Sequence, residues 1–190
     1  MEKDEIIEHF TKTNALLSGH FILSSGLHSP NYLQCALALQ NPKDAETFGL
    51  AIAEKVKSSK FDCVVSPAIG GIIIGYEVAR ALQLPFIWTE RQQGEMTLRR
   101  GFSVEKDARF LVVEDVITTG GSTRECINVI ESLGGKVTFA ASIIDRSNGK
   151  ANVGRERIAL AALEVESYPA DFCPNCKNGE IAIKPGSRAK

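Results

Sequence analysis

The sequence predicts a doubly wound α/β fold, with a mainly parallel sheet covered by helices on both faces. Short apolar runs at 63–65, 86–88, 110–113 and 137–144 alternate with segments of helical periodicity, which is typical of βαβ units. The run at 110–113 is apolar at every position, as in a strand buried on both faces. Because such sheets bind ligands at the carboxyl ends of their strands, we expect the turns after these four runs to form one site.

The remaining elements follow in chain order. A short amphipathic helix is expected at 4–13, and short strands at 21–23 and 32–33. Apolar residues at helical spacing predict helices at 43–58 and 72–82, and a further helix ends at Gly134 and Gly135. A last strand is expected at 158–165. Residues 90–101 are polar, contain two glycines and show little periodicity, so they are predicted to form a loop.

Length and charge limit the classes of protein. A chain of 190 residues favours one domain, 1–190, with small additions. The net charge of −1 gives no overall positive field that would attract nucleic acid or a membrane. The first five residues are mostly charged, and no apolar run approaches the ~20 residues of a membrane-spanning helix. We therefore expect a cytoplasmic protein with reduced cysteines.

The most informative segment is VVEDVITTGGST at 112–123. An apolar strand delivers two adjacent carboxylates, and a turn of glycines and hydroxyl residues leads into a helix. Glycines allow a ligand to approach the backbone, and free N–H groups at a helix N-terminus bind phosphate. The carboxylates suit a neighbouring cation or polyhydroxyl group. An ordinary turn with a capping aspartate is the alternative, but two acids followed directly by TTGGST are far more specific.

This segment resembles the phosphoribosyl pyrophosphate signature of the type I phosphoribosyltransferase family. The resemblance implies that Glu114 and Asp115 hold the ribose hydroxyls, that 118–122 bind the 5′-phosphate, and that Mg²⁺ is the cofactor, contacted indirectly by Asp115. The segment SPAIGG at 66–71 resembles the family's pyrophosphate loop. The implied contacts to phosphoribosyl pyrophosphate are Glu114, Asp115, Val116, Ile117, Thr118, Thr119, Gly120, Gly121, Ser122, Ile69, Gly70 and Arg91.

Three further segments resemble the orotate-specific branch of this family: SGLHSPNY at 25–32, GEMTLRRGF at 94–102, and the tail motifs CPNC at 173–176 and KPGSR at 184–188. The resemblance implies phosphoribosyl transfer to orotate, with residues 1–40 as a hood over the base and 90–101 as a flexible catalytic loop. It also implies a homodimer in which each loop enters the neighbouring site. The implied orotate contacts are Thr118, Arg146, Tyr32 and Leu33.

The chain departs from the branch in its cations. Better-known orotate enzymes have a lysine where Ser24 stands, and an aromatic–lysine pair where Ile69 and Gly70 stand. Their loop also carries lysines and a histidine, whereas 89–104 contain neither. The loop cations here are Arg91, Arg99 and Arg100, which we expect to take the catalytic role. If the loop is extended, Arg99 and Arg100 point to opposite sides.

Three other functions were weighed. A purine phosphoribosyltransferase would share the phosphate cradle but lack the 25–32 pattern. A regulator that binds phosphoribosyl pyrophosphate without catalysis would need an added basic DNA-binding domain, for which the chain has neither length nor charge. A module built on Cys173 and Cys176 has only two of four zinc ligands. These two cysteines are expected to be free thiols, a local disulfide, or half of a zinc site completed by a dimer partner or a histidine.

Overall fold

The predicted α/β architecture is confirmed in a computed structural model, which describes residues 1–23 and 25–185. Ser24 and residues 186–188 of the KPGSR motif lie outside the described residues. A six-stranded sheet has the order β5-β4-β3-β6-β7-β8, and β1 and β2 form a separate two-stranded sheet. The strands are β1 (Leu16–Ile22), β2 (His28–Leu33), β3 (Cys63–Pro67), β4 (Phe86–Gln92), β5 (Glu95–Leu98), β6 (Arg109–Ile117), β7 (Lys136–Asp145) and β8 (Arg157–Ala162).

Within the large sheet, β3, β4, β6, β7 and β8 pair in parallel, and only β5 is antiparallel to its neighbour β4. None of the described helices has the length and apolar character needed to cross a membrane. The helices are α1 (Lys3–Lys12), α2 (Cys35–Ala38), α3 (Pro42–Val56), α4 (Gly71–Leu82), α5 (Gly121–Ser132) and α6 (Pro174–Lys177), with a 3₁₀ turn at Ala170–Phe172.

The sheet has a core on each face. Leu111 and Val113 of β6 face the core that also contains residues of α1, α3 and α4, whereas Phe110 and Val112 face the core under α5. This alternation explains why the run at 110–113 is apolar throughout, as predicted. Burying both faces fixes the carboxyl end of β6, and with it the two acids that follow Val113.

Several predicted boundaries were wrong. β6 continues to Ile117, so the acid pair lies inside the strand rather than after it. Residues 90–98 are not an irregular loop: β4 extends to Gln92 and pairs with β5. The connecting Gln93 and Gly94 have φ values of 52° and 91°, as in the type I′ turns that favour hairpins.

The first hairpin is also longer than predicted. β1 starts at Leu16 and β2 at His28, so Ser29 and Pro30 lie within a strand instead of separating two. Pro30 is tolerated because it sits where the pairing register shifts, between the Ser18–Asn31 and Phe21–Ser29 pairs. A proline has no N–H to donate, and such irregular positions do not require one. The last strand, β8, is shorter than predicted and ends at Ala162.

Candidate active site

The candidate active site lies where the strand order reverses. β4 extends the sheet on one side of β3, and β7 and β8 extend it beyond β6, so the carboxyl ends of β3 and β6 form the crevice that binds ligands in such folds. The turns after these strands meet there. A Cβ added to Gly70 would lie 2.7 Å from Oδ2 of Asp115, so a side chain here would have to displace that carboxylate. The segment at 66–71 and the acid pair, predicted separately, therefore share one site.

Ile69 is 86% exposed. Its side chain does not pack in the core, so Ile69 can contact a ligand mainly through its backbone. Gly71 starts α4 directly afterwards, with a would-be Cβ 3.0 Å from the carbonyl oxygen of Val113. The turn therefore runs close against the end of β6.

The acid pair is desolvated. The pKa of Glu114 is raised to about 7, mainly by burial and to a smaller extent by the negative charge of Asp115, while the hydrogen bond from the Thr123 hydroxyl lowers it. Burial also raises the pKa of Asp115, against a hydrogen bond of 2.9 Å from the Val116 N–H. No basic side chain is among the groups that shift either pKa. Two half-buried carboxylates with no cationic neighbour in the described part of the chain fit a ligand that brings hydroxyl groups or a cation.

Beside the acids is a cleft of about 220 Å³. Gly120 adopts φ +75°, and a Cβ there would come within 2.8 Å of Val153, so this position requires glycine. α5 begins at Gly121, and the N–H groups of its first turn have no partners within the helix. Such a terminus, together with the neighbouring hydroxyls, attracts phosphate. The cleft is lined by Arg91, Glu114, Val116, Thr118, Thr119, Gly120, Gly121, Ser122 and Glu125.

The three arginines predicted to be catalytic are not equivalent. Arg91, on β4, lines the cleft, where it forms an ion pair with Glu125 and donates a hydrogen bond of 2.7 Å to the Gly94 carbonyl. Arg99 and Arg100 do not line the cleft.

Arg99 and Arg100 also do not point to opposite sides as expected for an extended loop. Both contact the Glu90 carboxylate, at 3.1 Å and 3.0 Å. The condition for that expectation is not met, because the chain turns here: Arg100 has φ +65°, and the Phe102 N–H donates to the Arg99 carbonyl. A turn brings successive side chains to one side, which an extended chain cannot do.

Arg146 and Thr118 lie side by side, directly after the ends of β7 and β6. Ile117 pairs with Asp145, so Thr118 and Arg146 are the next residues on each strand, and the Arg146 N–H donates to the Ile117 carbonyl at 2.8 Å. Burial lowers the pKa of Arg146. Its buried Nε has no hydrogen-bond partner among the residues that the structure describes. An unpaired buried donor costs free energy, which an anionic ligand would recover.

The chain after the first hairpin also reaches this site. Burial raises the pKa of the Cys35 thiol, the charge of Asp115 raises it further, and that of Arg146 lowers it, so Cys35 lies near both charges. Tyr32 and Leu33 immediately precede this position on β2; the Tyr32 ring packs 5.9 Å from that of Phe21, and Leu33 packs against the core. The predicted role of these two residues in binding orotate stays a prediction.

Sequence reasoning missed three residues of this region. Thr123 was part of the quoted motif, and its place in the first turn of α5 could have suggested a side chain reaching back to Glu114. Glu125 pairs with Arg91, which is 34 residues away in the chain, so no local sequence pattern indicates this contact. Nothing in the sequence around Cys35 marks it as part of a site, and only the fold brings it near Asp115.

Comparison with known proteins first defines the class. Residues 39–160 match the family model described as "Phosphoribosyl transferase domain". This range includes the acid pair, the cradle, the 66–71 turn and Arg146. It excludes β1, β2 and the C-terminal segment.

Relatives define the branch. The chain is 50% identical to the orotate phosphoribosyltransferase of Desulforamulus reducens over 99% of this chain and 98% of that one, and 51% identical to that of Pelotomaculum thermopropionicum over 99% of each. The crystal structure of orotate phosphoribosyltransferase from Aeropyrum pernix superposes with a TM-score of 0.68, at 26% identity over 84% of this chain and 94% of that one. The chain therefore belongs to the orotate phosphoribosyltransferase family, within the glycosyltransferase class of enzymes, and has the type I fold.

Proposed function

We propose that this protein transfers the 5-phosphoribosyl group from phosphoribosyl pyrophosphate to orotate, giving orotidine 5′-monophosphate and pyrophosphate. The reaction belongs to de novo pyrimidine (UMP) biosynthesis, and we place it in the cytoplasm. The observation that carries the proposal is the desolvated Glu114–Asp115 pair, which lies between a glycine-rich anion cleft and the 66–71 turn. A ribose with phosphates at both ends matches this order of groups.

In the proposed complex, the 5′-phosphate lies in the cleft and accepts hydrogen bonds from N–H and hydroxyl groups of 118–122. Backbone groups of Val116 and Ile117 border the same ligand. The ribose 2′- and 3′-hydroxyls donate to Glu114 and Asp115, while the Thr123 hydroxyl holds Glu114 in place. The pyrophosphate meets the backbone at Ile69 and Gly70. Three separate anchors fix the anomeric carbon, so positioning supplies a large part of the rate.

The base site uses Arg146 and Thr118. Orotate carries a carboxylate, and the buried guanidinium with its unpartnered Nε offers the charge-assisted hydrogen bonds that a carboxylate prefers. Residues 1–40 are proposed to form the hood, with Tyr32 and Leu33 against the ring. The orotate nitrogen attacks the anomeric carbon as the bond to the pyrophosphate oxygen breaks. The ring anion is delocalised, so no side-chain base is required.

Mg²⁺ is the proposed cofactor. The pair of half-buried carboxylates, whose pKa values no basic side chain of the described residues lowers, fits a divalent cation, which binds oxygen ligands. Asp115 would contact it through water or substrate, and the ion would offset the charge of the leaving pyrophosphate. The protein's own contribution is to keep both carboxylates desolvated and correctly spaced.

Residues 90–101 are proposed as the catalytic loop of a homodimer with shared sites. The hairpin of β4 and β5 holds Arg91 beside the cleft, and Arg99 and Arg100 follow β5 and contact Glu90. Closure over the bound substrates would exclude water and prevent hydrolysis. Arg91 would then stabilise charge on the departing pyrophosphate, with smaller contributions from Arg99 and Arg100, which must first leave Glu90.

The test is an ultraviolet assay of orotate consumption with phosphoribosyl pyrophosphate and Mg²⁺. Parallel reactions replace orotate with uracil, adenine or hypoxanthine. We expect turnover with orotate alone, and product analysis should show orotidine 5′-monophosphate and pyrophosphate in equal amounts. Turnover with adenine or hypoxanthine and not with orotate would favour a purine enzyme and overturn the proposal.

A further inference from the structure

Four potential metal ligands meet between the first hairpin and the C-terminal segment, away from the acid pair. His20 lies on β1, His28 begins β2, and Cys173 and Cys176 flank the start of α6. One ligand atom from each residue lies within 4.8 Å of the other three. Two of the three histidines and two of the five cysteines in the chain are therefore gathered from regions about 150 residues apart.

The separations approach those of a tetrahedral zinc site. Cys176 Sγ lies 3.2 Å from His28 Nδ1 and 3.6 Å from His20 Nε2; Cys173 Sγ lies 3.4 Å from His20 Nε2. Zinc bonds of about 2.0–2.3 Å in a tetrahedron place nitrogen and sulfur roughly 3.5 Å apart. The two ring nitrogens, 2.8 Å apart, would separate by roughly 0.5 Å to reach the corresponding tetrahedral distance.

The protonation of His20 supports a metal. Its Nδ1 lies 3.0 Å from the carbonyl oxygen of Glu180, which can only accept, so Nδ1 carries the proton. In the neutral ring, Nε2 then presents a lone pair to His28 and both cysteines. A carbonyl that orients a ligating histidine in this way is a regular feature of metal sites. His20 is 5% exposed and Cys173 2% exposed, so one cation could satisfy all four groups in a sheltered place.

The backbone is shaped for this arrangement. His20 falls where the β1–β2 register shifts, between Ser18 and Phe21, and such irregularities redirect side chains. The two cysteines flank a tight turn in which the Lys177 N–H donates to the Cys173 carbonyl. The spacing Cys-x-x-Cys is the usual one for a pair of zinc ligands.

We propose that His20, His28, Cys173 and Cys176 bind one structural Zn²⁺ that fastens the C-terminal segment to the β1–β2 hairpin. Two cysteines with two histidines and no open position form a closed, structural set of ligands, and this mixture of soft and intermediate donors selects zinc over Mg²⁺. The site is separate from the acid pair and does not depend on the proposed transferase reaction.

The ion would complete a connection already present in the backbone. Ile183 bridges to β1 beside Phe21, and Tyr168 bridges to His28 with hydrogen bonds of 2.8 Å in both directions. The Ser29 hydroxyl donates to the Glu166 carbonyl. A two-stranded hairpin alone is marginally stable in water, so a metal crosslink to a neighbouring segment would hold β2, and with it Tyr32 and Leu33, in place.

The experiment is metal analysis of the full-length protein purified without chelator from cells grown with added ZnCl₂. We expect about one zinc per chain. Replacement of zinc by Co²⁺ should give strong visible d–d bands of a tetrahedral ion and a near-ultraviolet thiolate-to-cobalt band, a result that requires no variant. The variants Cys173→Ser/Cys176→Ser and His28→Asn should lose the metal, whereas the controls Cys63→Ser and His9→Gln should retain it.

Zinc removal should also lower the melting temperature and expose the C-terminal segment to protease. Three results would overturn the proposal. These are protein that holds no zinc even after incubation with ZnCl₂, cobalt spectra without a thiolate band, and equal metal content in the cysteine double variant and the controls. An intact mass lower by two hydrogens would show a Cys173–Cys176 disulfide instead, which also excludes the site.

Discussion

The charged groups of the active-site region fall into two sets that differ in their partners. Glu114, Asp115 and Arg146 are half-buried, and none of them forms an ion pair with another described residue. Arg91, Arg99 and Arg100 are each about half exposed and are paired with Glu125 or Glu90. The first set bears the cost of desolvation in the free protein, which a ligand can relieve, whereas the second set must exchange partners before it can bind one.

The largest expected effect comes from the acid pair. Asp115→Asn and Glu114→Gln should each lower kcat/KM for phosphoribosyl pyrophosphate roughly 10- to 150-fold, because a charge-assisted hydrogen bond contributes about 1.5–3 kcal/mol. Steady-state kinetics provides the measurement, and circular dichroism should show an intact fold. If both variants have wild-type kinetics, the two acids do not bind the substrate.

Arg91 should matter more than its neighbours. Arg91→Ala is expected to reduce kcat/KM about 10-fold, since this guanidinium alone of the three lines the phosphate cleft and would exchange Glu125 for substrate. The matched variant Glu125→Gln frees Arg91 without removing it and should leave activity near or above the wild-type value. If Glu125→Gln is as damaging as Arg91→Ala, the ion pair itself maintains the cleft.

The raised pKa values of the acid pair should also make the stability of the protein depend on pH. A carboxyl group whose pKa is raised by folding stabilises the protein while protonated, and this contribution is lost as pH rises from the ordinary value of 4.5 to about 7 for Glu114. Asp115 acts in the same direction. Glu90, whose pKa is lowered by the hydrogen bond from Arg100, is already ionised in this window.

Melting temperatures of the ligand-free protein between pH 4.5 and 7.5 test this contribution. The wild type should lose more stability across the range than Glu114→Gln, by about 2–4 °C for each kcal/mol of difference. Comparing the two proteins cancels the contributions of all groups that they share. Parallel curves would show that Glu114 is ionised throughout and is not desolvated as described.

The smallest effects should come from Arg99 and Arg100. Exposed ion pairs contribute about 0–1 kcal/mol, so either alanine variant should change stability little and kcat/KM no more than about fivefold. If either arginine reaches substrate on loop closure, its variant should instead match Arg91→Ala, and kinetics of the three single variants separates these cases. If all three arginine variants keep full activity, the loop acts only as a lid over the site.

The sheet and the phosphate cradle could be predicted because their signals are local. The run at 110–113, the acids and the glycines are consecutive, and the position of Arg146 follows from the end of one strand. Strand limits were less accurate, since β6 carries polar Glu114 and Asp115 as paired residues. Polar and apolar residues alternate at 95–98, and Gln93–Gly94 favours a turn, so the sequence did indicate the hairpin of β4 and β5. The overall polarity of the segment instead led to the prediction of a loop.

The hood and its contacts with the C-terminal segment could not be predicted in the same way. His20 and Cys176 are separated by 156 positions, and each is unremarkable in its own neighbourhood. The pairing of Arg91 with Glu125 is similarly remote. Such contacts depend on how the ends of the chain pack beside the sheet, for which no periodicity or motif provides a signal.

The central claim is that the desolvated charged groups at the strand ends, which no described residue neutralises, mark the substrate contacts, and Arg146 tests it most directly. Steady-state kinetics of wild type and Arg146→Ala should be measured with orotate and with uracil, which lacks the carboxylate. We expect the variant to raise KM for orotate much more than KM for phosphoribosyl pyrophosphate, and to lose most of the preference for orotate over uracil. A variant that keeps the wild-type preference, or raises both KM values equally, would contradict the account.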